Sequence, residues 1–191
     1  LSVTRRYPAG ASVGNYALFA GGTGSSPTFK DAVDAYDTSL TRSTPTALSV
    51  GRDLPAGASV GNYALFAGGY DGSYRNTVNA YNTSLTRSTP AALSVARSWL
   101  AGASVGDHAL FAGGQSGSSS YSNAVDAYNT SLIRFTPTPL SAARDRLAGA
   151  TVGNYALFAG GYSSSSPIYK DTVDAYNTSL TRSTPTALSV G

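Results

Sequence analysis

Eight side chains stand out as residues able to hold a ligand: Tyr7, Arg52, Tyr70, Arg97, Trp99, Arg144, Arg146 and Tyr162. Tyr, Trp and Arg dominate binding hot spots, and the flat apolar rings suit stacking on a sugar equally well. Catalytic residue types are scarce. His108 is the single histidine and the chain has neither Cys nor Glu, so a metal site or Ser-His-Asp triad cannot be assembled convincingly. A tolerated surface substitution accounts for His108 better. Asp34, Asp126 and Asp174 recur at one position, with Asn79 in the remaining copy. Closely paired carboxylates could do acid–base chemistry. One per copy points instead to a structural partner, a linker or strand arginine of a neighbouring unit. The expectation is a non-enzyme without cofactor or metal.

These residues are placed by a repeat. Val13–Gly22, Val60–Gly69, Val105–Gly114 and Val152–Gly161 are nearly the same ten residues, and only the third departs, with Asp107-His108 for Asn-Tyr. Counting from Leu-Ser-Val, the units are 1–47, 48–92, 93–139 and 140–187, and 188–191 begin a fifth copy. In the second unit four strands are expected: A over 55–60, B over 63–67, C over 77–81 and D over 88–94. Gly61-Asn62 is a two-residue hairpin link between A and B. Asn82-Thr83-Ser84 makes its own turn between C and D. Strand B is apolar on both faces, so the sheet must be covered on both. Strand A is built from Ala, Gly and Ser, which suits a crowded innermost strand. Four short antiparallel strands every ~45 residues are the signature of propeller blades.

Composition narrows the partners. Charged residues make up 12% of the chain, about half the usual share. A net charge of +3, with no basic run longer than Arg5-Arg6, gives no stripe for nucleic acid. No apolar stretch reaches the ~20 residues of a membrane span. Without Cys the compartment stays open, a secreted or cell-surface location being favoured over the cytoplasm. The missing initiator Met and signal peptide suggest a mature form or a fragment.

The units resemble kelch repeats, in which an Arg precedes the first strand, an apolar strand ends in Gly-Gly, and a Tyr-Asp pair and then a Trp follow. The matches are Arg52, Arg97 and Arg144 (Arg5 or Arg6 in the first unit) and the pairs Gly21-Gly22, Gly68-Gly69, Gly113-Gly114 and Gly160-Gly161. Tyr36, Tyr81, Tyr128 and Tyr176 are followed by Asp37, Asn82, Asn129 and Asn177. The Trp position holds Arg42, Arg87, Arg134 and Arg182, so another group must take over its packing role. The resemblance implies an all-β, kelch-like β-propeller with four four-stranded antiparallel blades per chain. The three Asn-Thr-Ser sequons fall on the Tyr-Asp turn, and the repeat explains them better than glycosylation does.

The units differ chiefly in the B–C loops (23–28, 70–73, 115–120 and 162–168) and in the D–A links (4–7, 52–54, 97–100 and 144–147). Alternating strand direction places both regions at one end of each sheet. The functional expectation is therefore a binding or adhesion module that presents this end to a protein or glycan. The competing expectation is a purely structural repeat unit, a spacer or piece of a longer array, with no dedicated ligand. Two chains pairing into an eight-bladed ring is favoured over closure by four blades.

Overall fold

The computed structural model describes residues 1–25 and 28–189. Ser26 and Pro27 of the first B–C loop, and Val190 and Gly191 of the fifth-copy start, lie outside the described residues. Among the described residues there is no helix, and the strands form five small antiparallel sheets. Sheet 1 is β1 (Ala9–Val13), β2 (Tyr16–Ala20), β3 (Val33–Tyr36) and β4 (Arg42–Ser43). Sheet 2 is β5 (Ala56–Val60), β6 (Tyr63–Ala67), β7 (Val78–Asn82) and β8 (Arg87–Ser88). Sheet 3 starts with β9 (Ala101–Val105) and β10 (His108–Ala112). A separate hairpin of β11 (Gln115–Gly117) and β12 (Ser120–Tyr121) follows, and β13 (Val125–Asn129) and β14 (Arg134–Phe135) complete the sheet. Sheet 4 is β15 (Ala148–Val152), β16 (Tyr155–Ala159), β17 (Val173–Asn177) and β18 (Arg182–Ser183).

The A–B hairpin forms as the sequence predicts. Val60 pairs with Tyr63 across Gly61-Asn62, and Gly61 takes the positive φ (+48°) that the turn requires. Strand C runs one residue later than expected. Strand D is corrected more substantially: it is Arg87–Ser88, not the run 88–94. Pro90 has no N–H to donate to a ladder, and the chain leaves the sheet just before it. The residues beyond pass to the next sheet, tied back by the Leu93 N–H donating to the Asn76 carbonyl at 2.8 Å. The hairpin β11–β12 inside the third B–C loop has no counterpart in the sequence reading.

Register sorts each sheet into two faces. Ala56, Ala58, Val60, Leu65, Ala67, Val78 and Ala80 share one, and Gly57, Ser59, Ala64, Phe66, Asn79 and Tyr81 share the other. The first kind of face packs on the second kind in the following sheet. Thus Leu65 and Val60 of sheet 2 bury against Phe111 and Tyr128 of sheet 3, and Leu110 and Val105 of sheet 3 against Phe158 and Tyr176 of sheet 4. Sheet 1 meets sheet 2 in the same way, through Leu18 and Val13 on Phe66 and Tyr81.

The first strands of successive sheets lie side by side. A Cβ on Gly57 would run into the Gly10 carbonyl, and one on Gly102 into the Gly57 carbonyl. Hydroxyls then bond across the narrow gap. Ser59 Oγ donates to the Ser12 carbonyl at 2.6 Å, Ser104 Oγ to the Ser59 carbonyl at 2.6 Å and Thr151 Oγ1 to the Ser104 carbonyl at 2.7 Å.

Farther along the sheets the spacing is filled by aromatic pairs. Tyr81, Tyr128 and Tyr176 stand edge-on to Phe66, Phe111 and Phe158, with ring centres 6.0 Å apart. Their hydroxyls donate to carbonyls of the preceding unit, Thr46, Ala91 and Thr138, at 2.7, 2.7 and 2.8 Å. Burial pushes all three phenols well above the ordinary tyrosine range. Tyrosine and phenylalanine together fill the space between successive sheets. The arginine of the short last strand adds a tie in two sheets, Arg87 Nη1 donating to the Ala47 carbonyl at 2.6 Å and Arg182 Nη1 to the Pro139 carbonyl at 2.8 Å.

Gly102→Ala should force two strands apart. Overpacking of this kind costs about 2 kcal/mol, a fall in Tm of roughly 4–8 °C, and calorimetry against the unmodified chain measures it.

Candidate ligand surface at the link ends of the sheets

The two variable regions pair directly with each other. The Asp53 and Tyr70 backbones exchange hydrogen bonds at 2.9 Å, and Arg6–Thr23, Ser98–Gln115 and Asp145–Tyr162 pair equivalently. Three of the four Gly-Gly pairs also take hold of the following link: Gly22, Gly69 and Gly114 N–H groups donate to the Arg52, Arg97 and Arg144 carbonyls at 2.8–2.9 Å. Links and B–C loops therefore share one end of the sheets. The turns at the other end pack together, with Gly61 against the Thr130 methyl and Gly106 against Thr178. Asn82 builds its turn with Oδ1, which accepts from the Ser84 and Thr86 N–H groups, and Asn129 and Asn177 do the same.

Three of the eight candidate residues lie in the interior. Arg52, Arg97 and Arg144 are 0% exposed. Arg97 Nη2 donates to the Phe111 carbonyl at 3.0 Å and to Asp126 Oδ2 at 2.8 Å, and Arg144 Nη2 to the Phe158 carbonyl at 3.1 Å and Asp174 Oδ2 at 2.9 Å. Arg5 does the same with Phe19 and Asp34 in sheet 1. The expected surface arginines are instead internal ties, because strand C carries a buried carboxylate that needs a cation. A second correction follows: the partner of each Asp lies in its own unit, not in a neighbouring one. Arg134 of the same sheet adds a further contact to Asp126 at 3.0 Å. Burial opposes ionisation of Asp34, but hydrogen bonds from Ser2 and Arg5 prevail and hold its carboxyl below the usual range.

Sheet 2 breaks the pattern. Arg52 Nη2 donates to Asn79 Oδ1 at 3.1 Å, so its charge faces a neutral amide, and desolvation pulls the guanidinium pKa down to about 10.

Four of the remaining candidates converge. Tyr7, Trp99 and Arg146 occupy the same position in units one, three and four, and Leu54 holds it in unit two. All four are left-handed, at φ +57, +55, +53 and +54° respectively. With Pro8, Pro55, Leu100 and Leu147 they line a cavity of about 320 Å³, near the lower end of small-molecule sites. The Tyr7 and Trp99 rings meet edge to face at 5.7 Å, and the Arg146 guanidinium lies 4.8 Å from the Trp99 ring centre. Arg146 also reaches within 5.7 Å of the Tyr162 ring, joining the B–C loop to the cluster. Tyr70 stands apart, packed between Phe29 and Tyr74 at 6.0 and 5.3 Å.

Two acidic residues escaped the sequence reading. Asp145 is buried, neither of its side-chain oxygens has a hydrogen-bond partner among the described residues, and its charge contact is Arg146 Nη1 at 3.7 Å. Burial raises its carboxyl above the usual range, partly offset by Arg146. Asp53, at the equivalent position, is raised by burial too, and its Oδ1 has no hydrogen-bond partner among the described residues. The available signal was the variation after the core arginine: Arg6, Asp53, Ser98 and Asp145. His108 faces Phe135, at 6.0 Å between ring centres. No group of three or more His, Cys, Asp or Glu among the described residues could hold a metal ion.

No family model and no curated protein matches the chain. Its fold is similar to the solved structure of YjhT, with a TM-score of 0.74 at 14% identity over 94% of this chain and 68% of that one. At that identity the likeness carries the fold alone. The all-β architecture of repeated four-stranded sheets is thus shared with a known structure.

Asn79→Asp should complete the interrupted tie by giving Arg52 a carboxylate. A charge-assisted bond exceeds a neutral one by about 1 kcal/mol, less desolvation, so Tm at pH 7 should rise by roughly 2–4 °C. As at Asp34, the new carboxyl should be lowered in the folded state. The gain is then present above the unfolded carboxylate pKa and lost as pH falls through the folded one. Thermal melts at pH 7 and pH 3 check both parts.

Proposed function

We propose that this chain is a kelch-like β-propeller module, each four-stranded sheet a blade, and that it is a non-catalytic binding module. Its ligand, a glycan or a protein, sits at the cavity where Tyr7, Leu54, Trp99 and Arg146 converge. The observation that carries this reading is one backbone position used four times with four unlike side chains. Left-handed backbone costs a non-glycine residue on the order of 1–3 kcal/mol, and persists where the surroundings or a function require it. Leu40, Leu85, Leu132 and Leu180 are also left-handed, but there the side chain is the same in every unit, as packing would dictate. At the links the fold needs only the backbone shape, and the identity of the side chain is free for recognition.

The residue set suits a sugar. Tyr7 and Trp99 offer ring faces for the apolar side of a pyranose. Arg146, in the cavity wall, offers guanidinium donors to the ligand's hydroxyls. No nucleophile–base pair accompanies them, which favours holding over turnover.

Trp99 is the single tryptophan, so intrinsic fluorescence reports directly on the cavity. Screening a glycan array and a peptide library should yield a ligand that shifts this emission. Trp99→Gly should abolish its binding, measured by calorimetry, while changing Tm by less than about 4 °C, because glycine relieves the left-handed backbone as packing is lost. Arg146→Ala should weaken binding at least tenfold. Absence of any ligand, or full binding by Trp99→Gly, defeats the reading.

A further inference from the structure

Among the described residues two sheet faces have no cover, and they are the two halves of an interface the chain already builds three times. In sheet 4 the face of Val152, Tyr155 and Leu157 lies open, and Val152 is 62% exposed where its counterparts Val60 and Val105 are 3% and 1%. In sheet 1 the opposite kind of face lies open, and Phe19 is 37% exposed where Phe66, Phe111 and Phe158 are 0%. We propose that a second copy of this chain covers both: sheet 1 of each copy docks on sheet 4 of the other, head to tail, closing a ring of eight sheets.

The occupant follows from continuity with the internal interfaces. Each joins a Val-Leu-Ala face to a Phe-Tyr face, and the open ends present one of each. The polar ties extend in the same register. Gly22, Gly69 and Gly114 N–H groups bond the arginine carbonyl of the next sheet; at the seam the counterparts are Gly161 N–H and the partner copy's Arg5 carbonyl. Tyr81, Tyr128 and Tyr176 hydroxyls bond carbonyls of the preceding unit; at the seam Tyr36 would reach the Thr186 carbonyl. Ser12 Oγ would extend the hydroxyl series onto the Thr151 carbonyl. A contact between unlike faces is heterologous, and two copies satisfy both seams at once only if the ring closes. Its one conflict is local. Leu1-Ser2 sits on sheet 1 as Leu48-Ser49 sits on sheet 2, with Ser2 N–H donating to Asp34 at 2.7 Å. The partner's Leu188-Ser189 competes for that place, and one of the two short segments yields at each seam.

Light scattering tests this on the full chain. The expected mass is twice the 19.4 kDa of one chain. Phe19→Arg blocks one face and Val152→Arg the other, and each variant alone should scatter as a single chain with an unchanged circular dichroism spectrum. Tyr155→Arg, on the same face as Val152, should behave like Val152→Arg. Mixing Phe19→Arg with Val152→Arg leaves one intact seam and should restore the doubled mass, which a contact between like faces cannot do. A single-chain mass for the unmodified protein at all concentrations overturns the proposal. So does a ladder of larger masses, persistence of the doubled mass in each variant alone, or no recovery on mixing.

Discussion

The close approach of the first strands governs this structure. Gly57 against Gly10, and Gly102 against Gly57, leave no room for a Cβ. That contact sets a narrow spacing at one edge of every pair of sheets, and the divergence from it sets how much volume the later strands must fill. Phe and Tyr fill it on one face, Leu and Val on the other. Serine and threonine solve the remaining polar problem. Neighbouring first strands are not a hydrogen-bonded ladder, and a short hydroxyl reaches the neighbouring carbonyl without widening the gap. The links run directly into these constrained first strands, so their left-handed residues are held at the same edge and can converge on one cavity.

Charge is used sparingly and inside. Each core arginine spans the carbonyl of strand B and the acceptor of strand C, fastening link, strand and strand through one planar group. A buried cation is tolerable because it is bonded, and removing its acceptor leaves it costly to keep. Serines preceding the arginines complete the shell: Ser94 and Ser141 each donate twice to the same carboxylates. The link is thereby pinned at its start, at its middle by the paired B–C loop, and at its end by strand A.

Much of the fold was legible because the repeat displays it four times. The A–B hairpin, the doubly apolar strand B and the tiny strand A all express side-chain size and turn chemistry, which a sequence states openly. Strand D was misjudged because the four-strand pattern was carried through to the end of the unit, whereas Pro90 in the middle of the run decides the matter. The arginines were assigned to the surface because residue type alone gives no depth. Their fixed spacing of 14 residues to the strand-B phenylalanine, the same in all four units, was the missed cue. Tyr7, Trp99 and Arg146 were found by their irregularity, but their left-handed backbone, and Leu54 as the fourth member, emerge only from coordinates. Asp145 was passed over because its lack of partners is a property of packing, which a string of letters does not carry.

Near-identity among the four Tyr/His-Ala-Leu-Phe-Ala strands has a consequence for how the chain reaches this state. Strand β6 offers almost the same edge to β3, β13 and β17 as to its own neighbour β7, so mispairing between units costs little in side-chain fit. What discriminates is loop closure, since nearby segments meet sooner than distant ones. Refolding should accordingly be sensitive to the lengths of the B–C loops, and at high concentration to swaps between molecules, where the advantage of proximity disappears.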